Sequence, residues 1–178
     1  EIAPSLSGVG IASDNTSNTI AKAGDNVTLT FTASETIDTP VVTFKSGGVA
    51  VTDSSVLYRN TTGNTWTAVY TANANDTDGN VSYSINFSDT AGNAGTTVNN
   101  GTGSVTKDTS SPTLSNVGLT SNNGDPTKAT PTNTVTLNFT ASETIQSPVI
   151  TFLSGGAAIN DNISVSNTGG NRWVASFT

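Results

Sequence analysis

The 178-residue chain contains no cysteine, no histidine and no methionine, and it carries only six Lys and Arg. Without cysteine, a small disulfide-stapled scaffold and thiolate metal sites are excluded. Without histidine there is no Ser-His or Cys-His relay, so the common nucleophilic hydrolase arrangements are absent. Carboxylate pairs remain as the acid–base chemistry open to the chain. The acidic residues, however, fall mainly in turn-like stretches, where Asp and Asn serve backbone geometry. An enzyme is therefore not expected. Too few cations are present to displace counterions from nucleic acid, and the net charge of −7 also disfavours anionic membrane surfaces. No run approaches the roughly 20 apolar residues of a membrane span, so membrane insertion is not expected either.

Hydrophobic residues make up only 33% of the chain and charged residues 11%, the balance being Thr, Ser, Asn and Gly. Thr favours strands, while Asn and Gly favour the turns between them. The apolar residues alternate regularly, which separates the chain from disordered segments of similar polarity.

An internal repeat dominates the sequence. Val27–Ile37 reads VTLTFTASETI and Val135–Ile145 reads VTLNFTASETI, an offset of 108 residues. From Val27 to Val51 there are 18 identities in 25 positions. One residue is then lost in a loop, and the register resumes with Gly63-Asn-Thr-Trp66 against Gly170-Asn-Arg-Trp173. Two copies of one module follow, over residues 1–107 and 108–178. Thr178 matches Thr71, and residues 72–107 have no counterpart in the second copy. A module lacking its last strands exposes a core face and an unpaired edge. The expectation is a chain that continues; the rival is another chain that supplies the missing strands.

Period-2 alternation predicts the strands. Val27, Leu29, Phe31 and Ala33 share one face; Trp66, Ala68 and Tyr70 share another; Val81, Tyr83, Ile85 and Phe87 a third. Shorter strands are predicted at Leu6–Ile11, Val41–Phe44, Val49–Val51, Val56–Tyr58 and Val98–Thr106. Ser46-Gly-Gly48, Ser154-Gly-Gly156 and Ala91-Gly-Asn93 read as turns, and Asp78-Gly79 as a hairpin turn. Seven or eight short strands with one polar face each, and no helical periodicity, indicate an all-β sandwich with Greek-key connections. The linker of at most six residues before Pro112 is short enough to restrict neighbouring modules.

The linker Asp108-Thr-Ser-Ser-Pro-Thr-Leu114, the hairpin Ser88-Asp-Thr-Ala-Gly-Asn93 and the Phe-x-Ala-Ser-Glu runs at Phe31–Glu35 and Phe139–Glu143 carry a resemblance. The chain resembles the Ig-like tandem repeats of large bacterial and archaeal cell-surface proteins, of biofilm-adhesin or surface-layer type. The resemblance implies tandem Ig-like modules, the second incomplete, with secretion to the cell surface. In some relatives of this kind Ca²⁺ rigidifies the junctions.

Two arrangements are candidates for Ca²⁺. Asp76-Thr-Asp78-Gly-Asn80 alternates oxygen-bearing residues around a glycine, although it lacks the distal Glu and the length of an EF-hand loop. At the junction, Asp108 is a candidate to meet Asp89, Asn93 or a carboxylate of the next module. The alternative for both is simple turn chemistry. Glu35 and Glu143 occupy equivalent positions, serving either the junction or a strand end. The repeated Trp66 and Trp173, each alternating with Ala, read as core rather than as sugar-stacking platforms. Nine Asn-x-Ser/Thr sequons occur, little above what so Asn-, Ser- and Thr-rich a chain generates by chance, so glycosylation is permitted rather than indicated.

Three functional classes follow. The first is a non-enzymatic stalk or spacer segment of a secreted cell-surface protein, whose partners are neighbouring Ig-like modules of the same or an identical chain. The second is a filament or surface-layer subunit completed by strand donation. The third is a module that binds a glycan or protein receptor through its loops.

Overall fold

The computed structural model describes residues 2–53 and 55–178, and among them there is no helix. The chain divides into two units, Glu1–Thr109 and Ser110–Thr178. In unit 1 the strands are β1 (Leu6–Ser13), β2 (Ile20–Ala21), β3 (Asn26–Ala33), β4 (Val41–Ser46), β5 (Val49–Ala50), β6 (Leu57–Thr62), β7 (Thr65–Thr71), β8 (Gly79–Asn86) and β9 (Thr106–Lys107). One sheet has the order β1-β3-β7-β6 and the other β2-β9-β8-β4-β5. The named strands pair antiparallel except β2 with β9, which run parallel. Four strands facing five, with the chain crossing between the sheets after β1, β2, β3, β5 and β7, is the Ig-like β-sandwich arrangement.

Alternation determines which residues fill it. Along β3, Val27, Leu29 and Phe31 are sealed from solvent while Thr28, Thr30 and Thr32 face outward. Each buried Val, Leu or Phe is worth roughly 1.5–3 kcal/mol. Ala68 and Tyr70 of β7, Phe44 of β4 and Ile85 of β8 close the core from the other strands, with Trp66 half-buried against it. Phe44 and Tyr70 stack at 4.7 Å between ring centroids.

Two sequence expectations are corrected. Asp78-Gly79 is not a hairpin turn, because β7 and β8 lie in different sheets and the segment between them crosses the sandwich. The stretch predicted as one strand from Val98 to Thr106 is mostly irregular. Val98 bridges Ile85 and Thr102 bridges Gly10, but only Thr106–Lys107 forms a strand. Gly101 is responsible in part: a Cβ there would lie 2.5 Å from the Val9 carbonyl oxygen, so the backbone rests directly on β1. The glycine-paired turns after Ser46 and Ser154 form as expected, with positive φ at both central residues, the geometry that suits a two-residue hairpin.

Unit 2 contains β10 (Leu114–Ser121), β11 (Val135–Ala141), β12 (Leu153–Ser154), β13 (Ala157–Ala158), β14 (Ser164–Gly169) and β15 (Arg172–Phe177). The sheet β10-β11-β15-β14 reproduces β1-β3-β7-β6. Leu114↔Ala141 and Gly118↔Asn138 repeat Leu6↔Ala33 and Gly10↔Thr30, with the same register shift after Ser7 and after Ser115. Both bulges carry a residue with positive φ, Gly8 in one and Asn116 in the other; Asn is among the few side chains that tolerate it.

The second sheet is where the two units part. Only the hairpin β12-β13 forms, two residues per strand, where β4 runs for six. β4 is held along its length by β8, and no strand in unit 2 plays that part. The face beneath is correspondingly open. Val9 and Ile11 are 9% and 6% exposed, whereas their counterparts Val117 and Leu119 are 60% and 61% exposed.

Candidate functional site

The sequence candidates in unit 1 fall at opposite ends of β8. One group lies where the chain leaves the module. Here the segment between β7 and β8 turns on Asp76, whose Oδ2 accepts from the Asn73 amide at 2.8 Å. Its Oδ1 accepts from both the amide and the hydroxyl of Thr52, each at 2.7 Å. Asp76 is buried, and burial alone would raise its pKa. The Thr52 and Asn73 hydrogen bonds and the charge of Lys107 outweigh that and hold it below the usual carboxylate value.

Lys107, at the end of β9, is 1% exposed. Its ammonium donates to the Asp76 carbonyl oxygen at 2.5 Å and pairs with Asp78 Oδ1 at 2.8 Å. Asp78 also accepts from the amide and hydroxyl of Thr109, at 3.2 and 3.1 Å. These bonds, Lys107 first, lower its pKa. The fully buried Ser46 donates to the Thr77 carbonyl oxygen at 2.7 Å. A polar clamp thus joins the end of β4, Thr52, the β7–β8 segment and residues 107–109. It ties Thr109 of the linker to the end of the module.

This arrangement does not gather Asp76, Asp78 and Asn80 around one point. The Asp76 carboxylate faces Thr52 and Asn73, and the Asp78 carboxylate faces Lys107 and Thr109. Asn80 sits on β8, exposed and opposite Thr106. The positive charge beside Asp78 is an ammonium group of the chain itself. Lys107 escaped the sequence reading, yet a signal was present: it shares the inward parity of Val105 and is the one charged residue to do so in that stretch.

Asp89 and Asn93 lie beyond the other end of β8. Eight residues of strand separate them from Asp78, roughly 25 Å at the usual rise per residue. Asp89 accepts from the amides of Ala91 and Asn93 at 2.9 and 2.8 Å and from Asn93 Nδ2 at 2.7 Å. The Asn93 side chain is the main reason its pKa is lowered. Ser88 bridges Ala94 around this loop, so Asp89 organises the tight turn expected at Ala91-Gly92-Asn93. Asp108, half-buried, donates its amide to the Ala21 carbonyl oxygen at 2.9 Å, at the Asp78 end. Asp108 is therefore not brought to Asp89 or Asn93 within the module. Glu35 shares an open surface hollow with Asp89 and Thr90. Among the described residues, no three acidic side chains converge as metal ligands.

The two tryptophans point inward. Trp66 faces Phe31 across the β3–β7 pair, and Trp173 faces Phe139 in the repeat. Trp173 is buried and Trp66 partly so.

No family model and no curated protein matches the chain. Solved structures with some likeness include titin domains Z1Z2 in complex with telethonin, at 13% identity and a TM-score of 0.32, covering 99% of this chain and 81% of that one. A second is titin A168–A169, at 14% identity and a TM-score of 0.36, covering 99% and 83%. A third is a chimeric titin Z1Z2 carrying an exogenous peptide from decorin, at 15% identity and a TM-score of 0.36, covering 98% and 81%. At these scores the likeness supports no argument about function; the fold assignment stands on the strand order of unit 1.

Proposed function

We propose that this chain is a non-enzymatic structural repeat segment, a spacer within a secreted cell-surface protein. One observation carries the reading: the same sheet, with the same bulge, is built twice at a 108-residue offset. Duplication of a sandwich adds length without adding a new site, which is what a spacer needs. The clamp around Lys107 supports it, because it secures the point at which tension enters the module through Thr109. The acidic, Thr- and Asn-rich surface suits a chain that stays hydrated outside the cell.

Antibody raised against unit 1 and applied to intact cells of the source organism tests the proposal. Surface labelling that protease treatment of whole cells removes is the expected result. Label confined to permeabilised cells would overturn it.

A further inference from the structure

Asn is followed by Gly at Asn100-Gly101 and at Asn123-Gly124, and the fold treats the two pairs differently. Asn123 is half-buried and its side-chain amide is held at both ends. Its Nδ2 donates to Asn133 Oδ1 at 2.9 Å, and its Oδ1 accepts from the Asp125 amide at 3.0 Å. Asn100 and Gly101 are both exposed and lie outside any strand. Among the described residues, neither the Asn100 side chain nor the Gly101 amide has a hydrogen-bond partner. Packing nevertheless retains the glycine. A Cβ at residue 101 would lie 2.5 Å from the Val9 carbonyl oxygen and 2.7 Å from the Tyr83 hydroxyl oxygen.

The same residues form a strap between the two sheets of unit 1. Val98 exchanges hydrogen bonds with Ile85 of β8, at 2.8 and 3.1 Å. On β1, Thr102 donates its amide to the Val9 carbonyl oxygen at 2.9 Å and accepts from the Ile11 amide at 3.1 Å. Residues 99–101 alone span from one attachment to the other.

We infer that Asn100 is a self-modification site, converted to aspartate and isoaspartate without an enzyme, and that isoaspartate there slackens the strap. This is independent of the spacer reading. Hydroxide takes the Gly101 amide proton, and the nitrogen attacks Asn100 Cγ to form the N–Cγ bond of a succinimide ring. The Cγ–Nδ2 bond breaks, and the side-chain nitrogen takes a proton from water and leaves as ammonia. A water molecule then opens the ring. Cleavage of the new N–Cγ bond gives aspartate. Cleavage of the original peptide bond gives isoaspartate, whose main chain runs through Cβ and Cγ and gains a carbon. In sum, a water is consumed and an ammonia released. Glycine favours the attack because no Cβ shields its nitrogen. Asn123 must first give up two hydrogen bonds, which slows its conversion roughly tenfold. Asp78, which precedes Gly79, is restrained in the same sense by Lys107 and Thr109. In the isoaspartyl chain the added carbon falls between Val98 and Thr102, so Thr102 is no longer held in register with β1.

The test ages the 178-residue chain at mildly alkaline pH and digests it under mildly acidic conditions. Mass spectrometry with electron-transfer fragmentation then separates asparagine, aspartate and isoaspartate at residues 100 and 123. In the folded chain Asn100 should convert roughly tenfold faster than Asn123, and faster still as the pH rises. In urea the two rates should converge. Conversion of Asn123 as fast as that of Asn100 in the folded chain would overturn the site. The isoaspartyl chain, isolated by chromatography, should exchange the Ile11 and Thr102 amides several-fold faster than the fresh chain. Freshly prepared Asn100→Asp carries the charge without the added carbon and should exchange them as the parent does. Parental exchange in the isoaspartyl chain, or equally fast exchange in Asn100→Asp, would overturn the slackened strap.

Discussion

Lys107 and Asp78 form an ion pair of 2.8 Å in which the ammonium is sealed from solvent while the carboxylate keeps 40% of its side-chain surface exposed. The asymmetry sets its energetics. Removing one partner of a fully buried pair costs about 3–5 kcal/mol. Water reaches Asp78 and screens part of that. Lys107→Met should therefore destabilise unit 1 by about 1–3 kcal/mol, partly through the Asp76 carbonyl left without its donor. Urea unfolding followed by signals of unit 1 checks this. A variant as stable as the parent would remove the clamp from the account.

Ca²⁺ titration follows from the same pair. A divalent ion at Asp78 must displace a tethered ammonium, and the Asp76 carboxylate is already committed to Thr52 and Asn73. The melting midpoint of unit 1 should stay where it is on addition of millimolar Ca²⁺. A rise of several degrees, abolished by Asp78→Asn, would contradict this expectation and favour Ca²⁺ binding at Asp76, Asp78 and Asn80.

The acid limb of stability has a definite sign. Asp76 and Asp78 both have pKa values lowered in the folded state. An unfolded Asp titrates near 3.9, so the unfolded chain binds protons first as the pH falls. The stabilisation is complete above about pH 5 and is lost as the pH drops through the unfolded value towards the folded ones. Thermal melts of unit 1 between pH 7 and pH 2 should be flat at first and then fall below about pH 4. Asp76→Asn should be less stable at pH 7 yet lose less on acidification. A midpoint unchanged down to pH 2 would refute the assignment.

Tyr70 offers a substitution in the opposite direction. Its hydroxyl is buried without a hydrogen-bond partner among the described residues, and burial, helped by the charge of Asp76, pushes its pKa up to about 12. The second copy has Phe177 at this place. Tyr70→Phe removes an unsatisfied polar atom while keeping the ring on Phe44, and should be neutral or stabilise unit 1 by up to about 1 kcal/mol. A loss of more than that in denaturant unfolding would reveal a partner for the hydroxyl.

Much of this was legible in the sequence because strand alternation and repetition are local signals. Val27, Leu29 and Phe31 declare an inward face by their spacing, and the repeat declares it again at Val135, Leu137 and Phe139. The β7–β8 connection was misread because Asp-Gly marks a turn without saying whether the flanking strands share a sheet. That is decided by where apolar faces find cover. Residues 98–105 were misread because their conformation follows from close approach to β1, which glycine permits but alternation does not encode. The clamp was hidden for a related reason. Asp76 and Asp78 look like turn residues or ligands until Lys107, some 30 positions later, is folded against them.

Within residues 1–178 one module is built twice, and the strand that pairs along β4 in unit 1 has no counterpart among the strands of unit 2. Hydrogen exchange at two identical residues tests it most directly. Thr43 lies on β4 opposite Ser84 of β8, whereas Thr151, its repeat equivalent, lies outside any strand. With Phe31 and Phe139, central in their matching sheets, as protected references, the Thr43 amide should exchange orders of magnitude more slowly than that of Thr151. Equal protection at Thr43 and Thr151 would contradict the account.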